Sequence, residues 1–322
     1  MTKTVTTATE FSMTNENPFD LDNAEAYQKW RDHKLAGYPL SLQQLVVKIG
    51  DIRAISDQEL KALKRVIRQH NMVVYQLASE SQASKAEIRQ FARLLGLDRI
   101  DNNICSDEDS ITSLQVSDSA QKRIYIPYTN RRLSWHADGY YNPLDKQIRG
   151  MLLHCVQPAV KGGENMLLDH EMIYIQLRDE NPDYIRALMH PQAMIIPPNN
   201  EGEQGDQIRG EQAGPVFSLE NGTANLHMRY SARSRNIIWR DDVNTSAARA
   251  KITDLLDSSP YILRYRLGAG QGVICNNLLH NRTSFEDSDA QHRLLYRARF
   301  YDRVADTAIA GIMNQVNENV IS

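Results

Sequence analysis

Three cysteines in 322 residues, Cys105, Cys155 and Cys275, are too few and too far apart for a disulfide framework, and they have no zinc-site spacing. Cys155 and Cys275 lie in apolar runs and read as buried free thiols, which fits a reducing cytoplasm. No apolar run approaches the roughly 18 residues of a membrane span, so no membrane partner is expected. The formal net charge is only -3, which gives no global attraction to nucleic acid. Residues 1–17 are rich in Thr, Ser and Asn and lack the apolar centre of a signal peptide. They read as a loosely attached or disordered leader. There is no internal repeat and no clean linker, so one domain is expected over residues 18–322.

What remains is the composition of a soluble globular enzyme, 41% hydrophobic and 24% charged. The first hundred residues read as β-α-β-α. Strands are expected at Leu45–Ile49 and Met72–Leu77. One helix runs from the cap Ser56, with Glu59 completing a capping box, to about Gln69. Another starts at the cap Ser84 and stops near Gly96. A short polar helix precedes them between Pro18 and Gly37. Short strands follow at Ser113–Ser117 and Asn165–Leu168, with the apolar, central stretch Arg149–Val156 between them. Asp169 caps a helix to about Asp179, and a second helix runs from Pro182 to near His190. Ala193–Pro198 reads as an edge strand, Pro215–Arg229 as a hairpin turning at Glu220-Asn221-Gly222, and Ala247–Leu256 as a helix. The last strands are Tyr261–Leu267, Val273–Cys275 and Arg293–Tyr301. The polar stretch 199–213 is a lid candidate. Many short strands with helices concentrated at the front predict an α+β chain with a mainly β core, a double-sheet barrel flanked by helices and centred on about 110–303. Gly268-Ala269-Gly270-Gln271-Gly272 is not a phosphate loop, because no helix and no Lys-Ser/Thr follow it.

The chemistry centres on Ser134-Trp135-His136-Ala137-Asp138-Gly139-Tyr140-Tyr141. His136 and Asp138 are two residues apart and share one face of an extended strand, so both can reach one metal ion. His280 is the best second imidazole, placed just after a strand end in a polar turn. Two His and one carboxylate form a facial triad suited to non-haem Fe(II). The bland alternatives are a solvated turn for His136 and a structural His280. Arg293, Arg297 and Arg299 share a strand parity; arginines in an apolar strand need a partner, either an internal acid or a ligand carboxylate.

Trp135-His136-Ala137-Asp138-Gly139, Gly162-Gly163-Glu164-Asn165, His280-Asn281-Arg282-Thr283-Ser284-Phe285 and the arginine Arg293 occur in the order seen in one family. Together they resemble the Fe(II)/2-oxoglutarate-dependent dioxygenases of the TauD/TfdA and clavaminate synthase group, from about residue 45 to 303. The resemblance implies a distorted double-stranded β-helix, or jelly roll. It implies Fe(II) on His136, Asp138 and His280, with 2-oxoglutarate and O2 as co-substrates. It implies Arg293 on the distal carboxylate of 2-oxoglutarate. Asn165 stands where the family has Thr and would bond the same carboxylate with different geometry. Arg297 stands where members with anionic substrates place a substrate-contacting arginine.

The primary substrate is read from two features. Arg229, Arg233 and Arg235 follow the hairpin and, with Arg297, suit an anion such as a carboxylate or sulfonate; the alternative is surface pairing with Asp241 or Asp242. Tyr125, Tyr128, Trp135, Tyr140 and Tyr141 crowd the metal stretch and could cage a quaternary ammonium, or simply pack. A small carboxylate-bearing molecule, an amino acid or a betaine, would use both, with Tyr140 and Arg229 as contacts. A sulfonate cleaved through hydroxylation, a zinc hydrolase and a non-catalytic metal-binding barrel are the alternatives. A homo-oligomer has only family precedent.

Overall fold

The computed structural model describes residues 17–78, 83–102, 107, 109–117, 125–199, 209–220 and 223–309. The expected leader (apart from Asn17), the turn residues Asn221 and Gly222, and residues 200–208 of the lid candidate lie outside the described residues.

Six α-helices are described: α1 (Ala24–Ala36), α2 (Asp57–His70), α3 (Lys85–Leu94), α4 (His170–Glu180), α5 (Pro182–Leu188) and α6 (Val243–Ser258). Complete capping boxes, Ser56 with Glu59 and Ser84 with Glu87, start α2 and α3. Both helices are amphipathic, and they bury Leu63, Ile67, Ile88 and Phe91. Half of the helices lie beyond residue 169, so the expected concentration at the front is not seen, although a helix was expected at each of these three places. Helix α4 is buried from His170 to Ile175 without interruption and shows no single apolar stripe; its cap Asp169 marks it instead. Helix α6 starts before the expected Ala247, because Asp242 accepts from the Asn244 and Thr245 N–H groups ahead of the first apolar position.

Ten strands build two principal sheets: β1 (Val46–Ile49), β2 (Met72–Leu77), β3 (Thr112–Leu114), β4 (Leu133–His136), β5 (Gly150–Gln157), β6 (Asn165–Leu168), β7 (Leu263–Tyr265), β8 (Gln271–Cys275), β9 (Leu279–Arg282) and β10 (Leu294–Phe300). The larger sheet has the order β1-β2-β8-β5-β10-β3, and the smaller the order β7-β6-β9-β4. Among the described strands only β1 and β2, joined through α2, pair in parallel; every other pair in these two sheets is antiparallel. One core lies between the sheets and joins Met151, Cys155, Val273 and Leu295 to Leu167 and Leu263. A second packs α2 and α3 on the outer face of the larger sheet through Ile67, Phe91, Leu152, Ile274 and Phe300. This is the expected helix-flanked, distorted double-stranded β-helix. Among the described residues no helix is long and apolar enough to cross a membrane.

Two strand expectations change. Met194–Ile196 is not an edge but the centre of a three-stranded sheet, between Gln212–Gly214 and Ile238–Trp239. Pro197 and Pro198 end the strand rather than expose it. His280 lies inside β9, not beyond a strand end. The polar residues that suggested a turn, Asn281 and Arg282, are buried within the sheet.

Helix α1 is fastened by a buried ionic knot. Lys34 Nζ lies 2.7 Å from Asp169 Oδ2 and 2.6 Å from Glu171 Oε2 at the start of α4, and it also donates to the Gln69 carbonyl at 2.8 Å. Replacing Lys34 with Met would leave two carboxylates buried without their cation. Unfolding in urea is expected to show a loss of about 3–5 kcal/mol. A loss under about 1 kcal/mol would contradict this role.

Candidate metal centre

Sheet register assembles the site. In β9, His280 stands opposite His136 of β4 on one side and opposite Leu167 of β6 on the other, and Arg282 stands opposite Asn165. Directly opposed residues of an antiparallel pair project to the same face. His136, His280, Asn165 and Arg282 therefore all face the space between the sheets. The side chains of His136, Asp138 and His280 offer one ligand atom each, all within 4.8 Å of one another.

Local hydrogen bonds choose the atoms. His136 Nδ1 lies 2.8 Å from the Ser134 carbonyl and His280 Nδ1 lies 3.1 Å from the Leu278 carbonyl. A carbonyl only accepts, so each Nδ1 carries the proton and each Nε2 presents a lone pair. Burial, aided by the neighbouring His136, pushes the His280 imidazole down to about 4, which keeps it neutral and able to ligate. Burial alone would raise the Asp138 carboxyl. The Arg297 guanidinium, with a smaller contribution from Arg299, opposes this, and Asp138 is held well below the ordinary carboxylate range. Asp138 Oδ2 is buried and has no hydrogen-bond partner among the described residues, as a vacant ligand atom would be. The donor set fits a divalent cation with open positions, such as Fe(II).

Asn277 holds the loop that carries Asp138, a role the sequence analysis missed. Its side chain accepts from the Asp138 N–H at 2.9 Å and donates to the Asp138 carbonyl at 2.9 Å and the Ile148 carbonyl at 2.7 Å. Its φ of 52° is left-handed, which Asn tolerates better than most residues. An Asn-Asn pair ahead of a candidate ligand was the available signal. Gly139 has φ 67°, and a Cβ there would collide with Ile148, so only glycine turns the chain at this point.

A second cluster lies at one end of the site. Arg293, Asn165, Cys155, Gly162, Gly163 and Arg266 line one small cavity. Arg293 is 4% exposed and its Nη1 has no partner among the described residues. Burial lowers its guanidinium to about 10. The guanidinium carbons of Arg293 and Arg282 lie 5.0 and 4.8 Å from the Phe285 ring centre. Arg282 is itself fixed by the Thr129 and Arg131 carbonyls at 2.8 and 2.6 Å. A Cβ on Gly163 would press within 3.4 Å of Arg293 Nε. An unpaired cation in a cavity walled by small residues suits a carboxylate.

The remaining expected residues are placed differently. Arg297 Nη1 lies 3.3 Å from Asp138 Oδ1, so in this structure it faces a ligand carboxylate. Arg229 is not free for a substrate. Its donors reach the carbonyls of Tyr140 (2.8 Å), Met194 (2.9 Å), Gly214 (3.3 Å) and Gln212 (2.7 Å), which stitches the metal loop to the neighbouring sheet. The aromatic cage is already furnished with the protein's own cations. The Tyr140 hydroxyl accepts from Arg233 at 3.0 Å and the Tyr141 hydroxyl from Arg299 at 2.9 Å. Arg209 and Arg299 lie 5.7 and 5.9 Å from the Tyr141 ring centre. Asp242 pairs with Arg240, and neither Arg233 nor Arg235 has an acidic partner among the described residues.

Replacing Asn277 with Ala is expected to weaken metal binding about 10–100-fold, read by competition titration with Mn(II). His280→Ala should weaken it further. Parent affinity in Asn277→Ala would contradict the supporting role.

A family model described as "Taurine catabolism dioxygenase TauD, TfdA family" matches residues 33–299. A uridine-5'-phosphate dioxygenase from Amycolatopsis sp is 29% identical over 172 residues, 52% of this chain and 60% of that protein. Another from Streptomyces sp is 27% identical over 198 residues, 60% and 69% of the two chains. The human gamma-butyrobetaine dioxygenase is 23% identical over 167 residues, 50% of this chain and 42% of its own. The match thus spans less than two thirds of the Amycolatopsis relative. Among solved structures, the non-heme iron oxygenase OrfP in complex with Fe, succinate and (3S)-hydroxy-L-Arg has a TM-score of 0.57 at 13% identity, covering 76% of this chain and 81% of its own. A taurine dioxygenase from Burkholderia xenovorans has a TM-score of 0.54 at 13% identity, covering 82% and 89%. At such identities these structures support the fold alone. The family model covers most of the chain and includes the whole metal cluster, so the chain belongs to the taurine catabolism dioxygenase TauD, TfdA family.

Proposed function

We propose that this chain, as one domain over 18–322, is a non-haem Fe(II)/2-oxoglutarate-dependent dioxygenase. It would hydroxylate an unactivated C–H of a small anionic substrate. The observation that carries the reading is the joint presence of the His136, Asp138 and His280 cluster and the unpaired, buried Arg293 in one interior. His136 Nε2, His280 Nε2 and the Asp138 carboxylate would hold the metal. When bound, Fe(II) would supply the chemistry of oxygen activation, with one oxygen atom entering the substrate and the other entering succinate as 2-oxoglutarate loses CO2.

The protein's own residues bind, orient and exclude. Arg293 takes the distal carboxylate, and Asn165 offers its amide beside it. Gly162 and Gly163 keep that cavity open. Arg297 neutralises the Asp138 oxygen that faces it, which keeps the carboxylate ionised as a ligand. Leu167, Val273 and Leu295 make the surrounding wall apolar and limit access of water. A cytoplasmic location belongs to the same reading and is supported by Cys155 and Cys275, both buried free thiols.

Anaerobic protein given Fe(II) and 2-oxoglutarate is expected to show the weak visible charge-transfer band of the chelate. The band should require at least about tenfold more 2-oxoglutarate in Arg293→Ala, the loss expected for an unpaired charge-assisted contact. Iron binding without a band would overturn the co-substrate assignment.

A further inference from the structure

A basic site lies on the metal's other flank from Arg293. The segment Met228–Arg233 runs antiparallel beside β4 and the loop after it. Ser231 bridges His136, the Ala137 N–H donates to the Tyr230 carbonyl at 3.0 Å, and the Ala232 N–H donates to the Trp135 carbonyl at 2.8 Å. Opposed residues share a face, and alternation carries that face to neighbours two positions away. Ser231 therefore projects on the side of His136, with Arg229 and Arg233 to either side. Tyr230 projects the other way, against Trp239.

Each residue of this wall has a different charge balance. Arg229 is used up on carbonyls. Arg149 pairs with Glu220, Arg297 with Asp138 and Arg299 with Asp101. Arg233 and Arg209 have no carboxylate within ion-pair distance among the described residues. Among the described residues Arg233, which is exposed, reaches only the Tyr140 hydroxyl, and the half-buried Arg209 reaches the carbonyls of Tyr141 (3.4 Å) and Pro197 (2.8 Å) and lies over the Tyr141 ring. The two cations are close enough to feel each other. Burial lowers the Arg209 guanidinium from its ordinary value, the phenols of Tyr140 and Tyr141 oppose that, and the charge of Arg233 adds to it. Ser231 is 3% exposed as a residue, and its hydroxyl makes no hydrogen bond among the described residues.

We propose that Arg233, Arg209 and the Tyr140 hydroxyl, with Ser231 between them and the metal, form the binding site for a phosphate monoester on the primary substrate. Two guanidiniums without a carboxylate partner among the described residues, Arg209 half-buried and Arg233 at the solvent edge, match the charge of a dianion, whereas a carboxylate would engage only one. The fork of each guanidinium matches two phosphate oxygens, and the phenol supplies a further donor once the ligand takes Arg233. The site lies apart from Arg293, so substrate and co-substrate would hold their anions at opposite ends and present their reacting atoms at the metal. This assignment rests on the dioxygenase reading and names the substrate class for that site.

The test is calorimetric titration of anaerobic Fe(II)- and 2-oxoglutarate-loaded protein. The probes are ribose 5-phosphate and uridine 5'-monophosphate, each beside its unphosphorylated parent, and riburonate as the monoanionic analogue. At least one phosphate compound is expected to bind about 30-fold or more tightly than its parent and about tenfold more tightly than the carboxylate. Arg233→Gln should remove at least tenfold of that preference and Arg233→Lys restore part of it. Arg235→Gln, on the same segment but outside the site, should bind as the parent does. No preference for phosphate, equal binding of riburonate, or an undiminished preference in both Arg233→Gln and Arg209→Gln overturns the proposal. A missing charge-transfer band in the same samples would instead strike the dioxygenase reading, and the heat of phosphate binding could still be read.

Discussion

The pairing of β9 with β4 is the constraint on which the site depends. It places His280 directly across from His136, and a slip of one residue would send His280 to the opposite face of the sheet and Asn281 inward. The register is held from both sides, because β9 also pairs with β6 along its full length from Leu279 to Arg282. An irregularity in register follows at once, between His280 and Arg282 on the β4 side. Asn277 completes the arrangement. It enters just before β9 and ties the Asp138 loop to Ile148, so the carboxylate and the second imidazole are fixed by neighbouring parts of one segment.

Charge is distributed along the interior in an order that matches the chemistry. Strand β10 and its approach carry Arg293, Arg297 and Arg299 on the inward parity, each buried. Each has a different environment: Arg293 an open cavity, Arg297 the Asp138 carboxylate, and Arg299 the Asp101 carboxylate and the Tyr141 hydroxyl. Buried cations are costly when unpaired. The unpaired one therefore marks where a ligand's charge belongs, and the paired ones maintain the shape of the chamber.

Much of this was legible in the sequence. The capping residues Ser56, Ser84 and Asp169, the apolar strands Met72–Leu77 and Gly150–Gln157, and the shared parity of the three arginines all follow from local rules. The two-residue spacing of His136 and Asp138 carried the metal hypothesis, although the regular strand ends at His136 and the loop positions Asp138. What was hidden depends on tertiary pairing. Polar Asn281 and Arg282 disguised a buried strand, because a guanidinium can satisfy itself on carbonyls that only the fold brings near. Arg229 looked like a substrate contact for the same reason. Helix α4, buried on nearly every side, was legible from its cap Asp169 rather than from an amphipathic stripe.

The most direct test of the metal and co-substrate assignment is a crystal structure of the anaerobic complex with Fe(II) and 2-oxoglutarate. The expected result is iron on the Nε2 atoms of His136 and His280 and on the Asp138 carboxylate, with the distal carboxylate of 2-oxoglutarate on Arg293 beside Asn165. Iron held through Nδ1 or at other residues, or a co-substrate whose distal carboxylate lies away from Arg293, would contradict the account.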